Sequence, residues 1–160
     1  MMNLLKYVNT EIVLREIPNE ITLAINISNC PHRCDGCHSS YLQKDIGTVL
    51  KEENLINLIK TNIGITCVCF MGGDSNPMYL NKLAKVIKEN NLKVGYYSGN
   101  TQLSEHIDLS NFDYIKLGPY IKDKGPLNIP TTNQRFYEVI PMVKEGNTLY
   151  TLVDKTSTLW

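Results

Sequence analysis

No charge of either sign prevails in this chain: its 160 residues carry 16 Lys plus Arg against 16 Asp plus Glu. The basic footprint of a nucleic-acid-binding surface is therefore missing, and no block of like charges is long enough to act as a tail. Apolar runs are short as well. None approaches the roughly 20 residues that span a bilayer, so no membrane association is expected. Residues 1–20 mix apolar and charged side chains and lack the continuous apolar core of a signal peptide. Internal repeats, low-complexity tracts and linkers are missing too, which leaves one domain over 1–160 as the expectation. The cysteine count, five, is odd and suits a disulfide framework poorly. A cytoplasmic location is expected, where thiols stay reduced and clustered cysteines more often serve metals or catalysis.

What is present is an ordinary globular composition, 42% apolar and 20% charged, which excludes a chain dominated by disorder. Leu23, Ile25 and Ile27 alternate with Thr22, Ala24 and Asn26 and predict a core strand over Ile21–Ile27. An edge strand at Glu11–Ile17 precedes it, with Pro18-Asn19 as the turn. Leu55, Ile56, Leu58, Ile59 and Ile63 stripe a helix over Val49–Asn62, capped by Thr48. Thr66–Met71 is a short apolar strand. Asn76 then caps a helix that opens on Pro77 and buries Leu80, Leu83, Ala84 and Ile87. Strands follow at Leu92–Tyr97 and Tyr114–Leu117, with a short helix near Thr101–Ile107 between them. Arg135–Pro141 and Thr148–Val153 form a terminal pair. Alternating strands and helices imply a mostly parallel sheet. A full eight-unit barrel needs about 250 residues, so a partial, open parallel β/α barrel is the expected fold.

The strongest chemical signal is Cys30-Pro31-His32-Arg33-Cys34-Asp35-Gly36-Cys37. Three thiolates in the form C-x3-C-x2-C follow a strand directly and can wrap one polynuclear centre. Structural zinc sites complete four ligands, and an ordinary [4Fe–4S] site takes four cysteines. Three local cysteines on such a cluster leave one iron open, and an open position marks a catalytic metal. Zinc held by these three and His32 or His38, or unliganded thiols, are the alternatives from spacing alone. Cys67 and Cys69 read as small apolar residues of a strand.

The cysteine loop and Met71-Gly72-Gly73-Asp74 at the end of the next strand together resemble the radical S-adenosylmethionine superfamily. The resemblance extends through Lys116-Leu117-Gly118-Pro119-Tyr120 and Thr131-Thr132-Asn133-Gln134-Arg135-Phe136-Tyr137 to the activating enzymes of anaerobic ribonucleotide reductase. It spans roughly 21–137. It implies a [4Fe–4S] cluster on Cys30, Cys34 and Cys37, with S-adenosyl-L-methionine as cosubstrate. It further implies that Gly72, Gly73 and Asp74 bind the methionine moiety, by a main chain that glycine lets approach closely. The activity implied is reductive cleavage to a 5′-deoxyadenosyl radical, which installs a glycyl radical on anaerobic ribonucleoside-triphosphate reductase. A low-potential donor such as flavodoxin would supply the electron. Asp35-Gly36 stands where many members carry an aromatic residue, which leaves His38 or Tyr41 to pack on adenine; Ser98 is the candidate for ribose. Another short radical enzyme acting on a small molecule, and a non-catalytic zinc module, are the competing readings. On the strand map, Cys30, Gly72, Ser98-Gly99 and Gly118-Pro119-Tyr120 each follow a different strand. They share one sheet edge, where parallel α/β folds bind ligands.

Overall fold

The N-terminal alternation resolves into an antiparallel pair in the computed structural model, which describes residues 4–28, 30–31 and 40–160. β1 (Lys6–Val13) pairs with β2 (Thr22–Ile27). β1 thus begins earlier than the expected Glu11–Ile17. Residues 14–19 are the return bend instead, closed by Asn19 at φ 67°, and the apolar Ile17 is spent on burial rather than on pairing. β3 (Thr48–Val49) adds to the outer edge of β1, so Thr48 is a strand residue and not a cap. Helix α1 (Glu52–Thr61) opens at Lys51, whose backbone N–H is accepted by Asn54 Oδ1 at 3.1 Å. β4 (Cys67–Met71) leads to α2 (Pro77–Glu89). There Asn76 Oδ1 accepts from the Tyr79 N–H at 3.1 Å and Pro77 occupies the first position, where its missing N–H costs nothing. β5 (Lys93–Tyr97), β6 (Tyr114–Leu117), β7 (Arg135–Lys144) and β8 (Asn147–Asp154) complete the chain.

The sheet has eight strands in the order β3-β1-β2-β4-β5-β6-β7-β8. It is mixed, and this overturns the partial, open parallel β/α barrel. Only β2–β4, β4–β5 and β5–β6 are parallel; the four outer pairings are antiparallel. Strand content is 33% against 22% helix, with α1 and α2 as the α-helices. The helix expected at Thr101–Ile107 does not form. Ser104 Oγ accepts from the His106 N–H, and Asp108 Oδ1 from the Ser110 N–H, giving the backbone local partners that compete with a helix. Beyond β6 the chain turns back through antiparallel pairing, and Glu145-Gly146, at φ 53° and 78°, closes a two-residue hairpin. The two ends of the sheet are therefore built from antiparallel strands rather than from further strand–helix units.

Alternation sorts the sheet into two unequal faces. Leu23, Ile25, Val68, Phe70 and Tyr96 pack with α2 in the larger core. The opposite face holds a smaller core of Ile17, Cys67, Cys69, Tyr114 and Phe136. Ile17 enters it across β5. A Cβ on Gly95 would stand 2.9 Å from Ile17 Cδ1 and 3.0 Å from Cys69 Sγ, so glycine is what admits the plug. Burial, helped by the nearby Glu20 charge, pushes the Cys67 thiol up to about 12. Cys69 is likewise raised, above all by burial. Both are packing residues and not thiolates.

Glu20 closes the end of this face remote from the cysteine loop. Its buried carboxylate accepts from Tyr114 Oη at 2.5 Å and Thr66 Oγ1 at 2.7 Å, and pairs with Lys93 Nζ at 3.2 Å. Burial alone would raise its pKa. The hydrogen bonds from Tyr114, Thr66 and Lys93, with the Lys93 charge, outweigh burial and hold it below the usual carboxylate value. A depressed folded pKa contributes stability above the unfolded value, near 4.3, that is lost as pH falls through the folded one. Glu20→Gln should therefore cost about 1–3 kcal/mol at pH 7 and flatten the loss of stability below about pH 4.3. Urea unfolding across pH 3–7 checks this; parallel curves for variant and wild type would contradict it.

Candidate functional site

The three parallel pairings bring the cavity-facing ends of four strands into one row. Asn26 of β2 lies opposite Met71 of β4, Met71 opposite Tyr97 of β5, and Tyr97 opposite Lys116 of β6. All four line a cavity of about 360 Å3. Its walls come from the loops that leave these strands: Cys30 after β2, Gly72 and Asp74 after β4, Gly99 after β5, and Gly118 after β6. A volume of this order suits a small ligand or cofactor. The cavity lies at the sheet edge where the sequence motifs were expected to gather, although the sheet is not a barrel.

Gly72 and Gly73 are both left-handed, at φ 108° and 109°, a region other residues enter only at a cost. A Cβ on Gly72 would come within 3.3 Å of the Ile27 carbonyl oxygen, and one on Gly73 within 3.0 Å of Leu80 Cδ1. Both glycines are thus packed closely from behind, and Gly72 brings bare main chain to the cavity wall. Asp74 fixes its far end. Its Oδ1 accepts from the Tyr96 hydroxyl and its Oδ2 from the Gly99 N–H at 2.9 Å, so the loops after β4 and β5 are tied by one carboxylate. Burial first, then the Asp74 charge, raises the Tyr96 pKa, and Tyr96 stays a donor.

Ser98, the candidate for ribose, is buried behind the cavity wall. It is 1% exposed, its Oγ accepts from the Asn100 N–H at 2.9 Å, and Gly99 reaches the cavity in its stead. Cys34, Cys37 and His38 lie outside the described residues. Among the described residues no three Cys, His, Asp or Glu side chains converge as a metal site; of the motif cysteines only Cys30 is in that set.

The β6 wall is braced from β7. Asn133 Nδ2 donates to the Pro119 carbonyl at 3.0 Å and Gln134 Nε2 to the Gly118 carbonyl at 3.3 Å. These two side chains turn inward, while Arg135 faces Asp154 at 3.8 Å. Lys116 Nζ donates to the Gly118 carbonyl at 3.1 Å and lies 5.9 Å from the Tyr97 ring centroid. Tyr97 donates to the Glu16 carbonyl, and burial, followed by the neighbouring Cys69, keeps its phenol protonated. Tyr97 and Glu16 also line a second cavity of about 610 Å3 with Arg15, Pro126 and Leu127. Sequence reasoning missed Asn26 and Tyr97, and it named Gln134 only within the segment 131–137, not at the cavity. Their signal was positional: Asn26 is the penultimate residue of β2, Tyr97 the last of β5, and Gln134 immediately precedes β7.

Neither models of known protein families nor curated proteins match the chain. No helix of the described residues is long and apolar enough to cross a membrane.

Asp74→Ala should remove the carboxylate that ties the β4 and β5 loops, at about 1–3 kcal/mol. Amide exchange read by mass spectrometry should show the segment around Gly99 losing protection while β2 keeps its own. Unchanged exchange around Gly99 would contradict the brace.

Proposed function

We propose that this chain is a cytoplasmic radical enzyme. It carries a [4Fe–4S] cluster on Cys30, Cys34 and Cys37 and uses S-adenosyl-L-methionine to place a glycyl radical on anaerobic ribonucleoside-triphosphate reductase, with a flavodoxin-like protein as electron donor. The observation that carries the reading is the single cavity shared by Cys30, the Gly72 turn and the ends of four parallel strands. The reading rests on the site, since folds host unrelated chemistries and the expected barrel is not formed.

The residues present fit such a cosubstrate. The donor set starts from Cys30 at the cavity wall, and the left-handed Gly72, backed closely by Ile27, brings main chain without a side chain to the same wall. When bound, the cluster would supply one electron at low potential for cleavage of the sulfonium, chemistry that belongs to the cofactor. The chain supplies placement. Gly72 and Gly73 offer main-chain groups to the amino-acid end of the cosubstrate. Asp74 keeps that turn in register with Gly99, and Gln134 and Lys116 hold the Gly118 wall. Tyr97 floors the cavity and also borders the second one.

Anaerobic reconstitution followed by metal and sulfide analysis tests this. About four iron and four sulfide per chain are expected, with sharp loss in Cys34→Ala. Deuterium should pass from a labelled partner glycine into 5′-deoxyadenosine. Zinc without iron or sulfide would remove the enzyme reading. Turnover of a small molecule without the partner would replace the substrate.

A further inference from the structure

The β7–β8 hairpin outgrows the sheet it belongs to. β6 meets β7 only over residues 135–138, so residues 141–144 and 147–151 run on as an arm, exposed throughout. Met142, Val143 and Leu149 are more than half exposed on it. The arm leaves past Tyr114, at the end of β6 remote from the cavity.

Its two edges are built differently. Along an antiparallel strand, the N–H and C=O of successive residues point alternately to one neighbour and the other. The Val139 N–H donates to the Asp113 carbonyl at 2.8 Å, so the odd residues of β7 face the β6 side. Pro141 is next in that row and has no N–H to offer, a device that blunts sheet edges. On the other side, the Lys155 N–H donates to the Phe136 carbonyl at 2.8 Å. Odd residues there turn toward β7, and Thr148, Tyr150, Leu152 and Asp154 turn their amides outward. Among the described residues no strand pairs with them, because β8 ends the sheet. Residues 147–153 carry no charge and no proline, and their register with β7 has no bulge. The opposite edge of the sheet is the two-residue β3, too short to template another chain.

β8 is also complementary to itself. A two-fold axis normal to the sheet keeps each face on its own side, so residues that meet across the axis must share a face. With the axis at Thr151, Leu149 of one copy meets Val153 of the other, Tyr150 meets Leu152, and Thr148 meets Asp154. Outward amides then meet outward amides, apolar side chains meet apolar ones, and no like charges are opposed. An axis at Tyr150 or Leu152 would instead set Leu149 or Val153 against Thr151. The arm of each copy lies along the half of β8 that holds Leu152, which packs on the larger core, so the pairing extends that core. We propose that the chain forms a two-fold dimer in which the two β8 strands pair antiparallel about Thr151 into one continuous sheet. No residue of β7 or β8 lines the cavity, and the dimer does not rest on the function proposed above.

Sedimentation equilibrium of the reduced, anaerobically purified full chain tests this. The wild type should show twice the mass of one chain at micromolar concentration. Thr151→Lys and Thr151→Glu each set two like charges face to face on the axis, and each should weaken dimerisation about 10-fold or more. Thr151 is exposed in the single chain, so both variants keep the fold. An equimolar mixture of the two should recover the dimer, because the facing charges are then opposite. A monomeric wild type overturns the proposal, including one that pairs β8 with a strand of another protein. Single variants that dimerise as well as the wild type, or a mixture that stays monomeric, overturn it as well.

Discussion

The Asp74 carboxylate, shared between the Tyr96 hydroxyl and the Gly99 N–H, is the contact on which the site depends. Two consecutive left-handed glycines are a loose hinge by themselves, because glycine loses more freedom on ordering than any other residue. One charged acceptor at the end of the turn, held by two donors from the neighbouring strand, removes that freedom. Hydrogen bonds to a charged group are the strong ones, shorter and roughly twice as effective as neutral pairs. The cavity wall therefore keeps its shape without side chains that would fill the cavity.

The same logic organises the rest of the wall. The Gly118-Pro119 loop is suspended by Asn133, Gln134 and Lys116, all of which donate to its carbonyls. Asn26 is suspended by Asn9. The loops after β4, β5 and β6 are thus pinned by polar side chains. The burial behind them is divided between a large core against α2 and a small plug centred on Ile17. The plug fills the face that a closed barrel would line with further strands. At the opposite end Glu20 satisfies the donors that this plug would otherwise strand.

Much of the local structure was legible because it follows from short-range rules. The Asn76-Pro77 start of α2, the alternation of β2 and the apolar runs of β4 and β6 were all read from spacing. The edge that carries the site was read from where each motif falls relative to its strand. The architecture was not legible, because strand direction depends on partners far away in sequence. β1 pairs antiparallel with β2, and β7 returns antiparallel on β6; neither choice leaves a mark in periodicity. The stretch Thr101–Ile107 has apolar residues at helical spacing, but Ser104 and Asp108 take the backbone donors for turns. Thr48 resembles a cap and is a strand residue, since the N–H groups that open α1 lie later, at Lys51. Of the site, the glycine turn was visible by composition. Asn26 was not, because an asparagine within a strand is exceptional only once the bulge in β1 between Tyr7 and Asn9 is known.

The central claim is that a cofactor held from Cys30 has a coordination position open toward the Gly72 turn. Electron paramagnetic resonance of the reduced, reconstituted protein tests it most directly. The account predicts a low-spin cluster signal whose shape and g-values change when S-adenosyl-L-methionine is added. A signal that is identical with and without saturating S-adenosyl-L-methionine would contradict it.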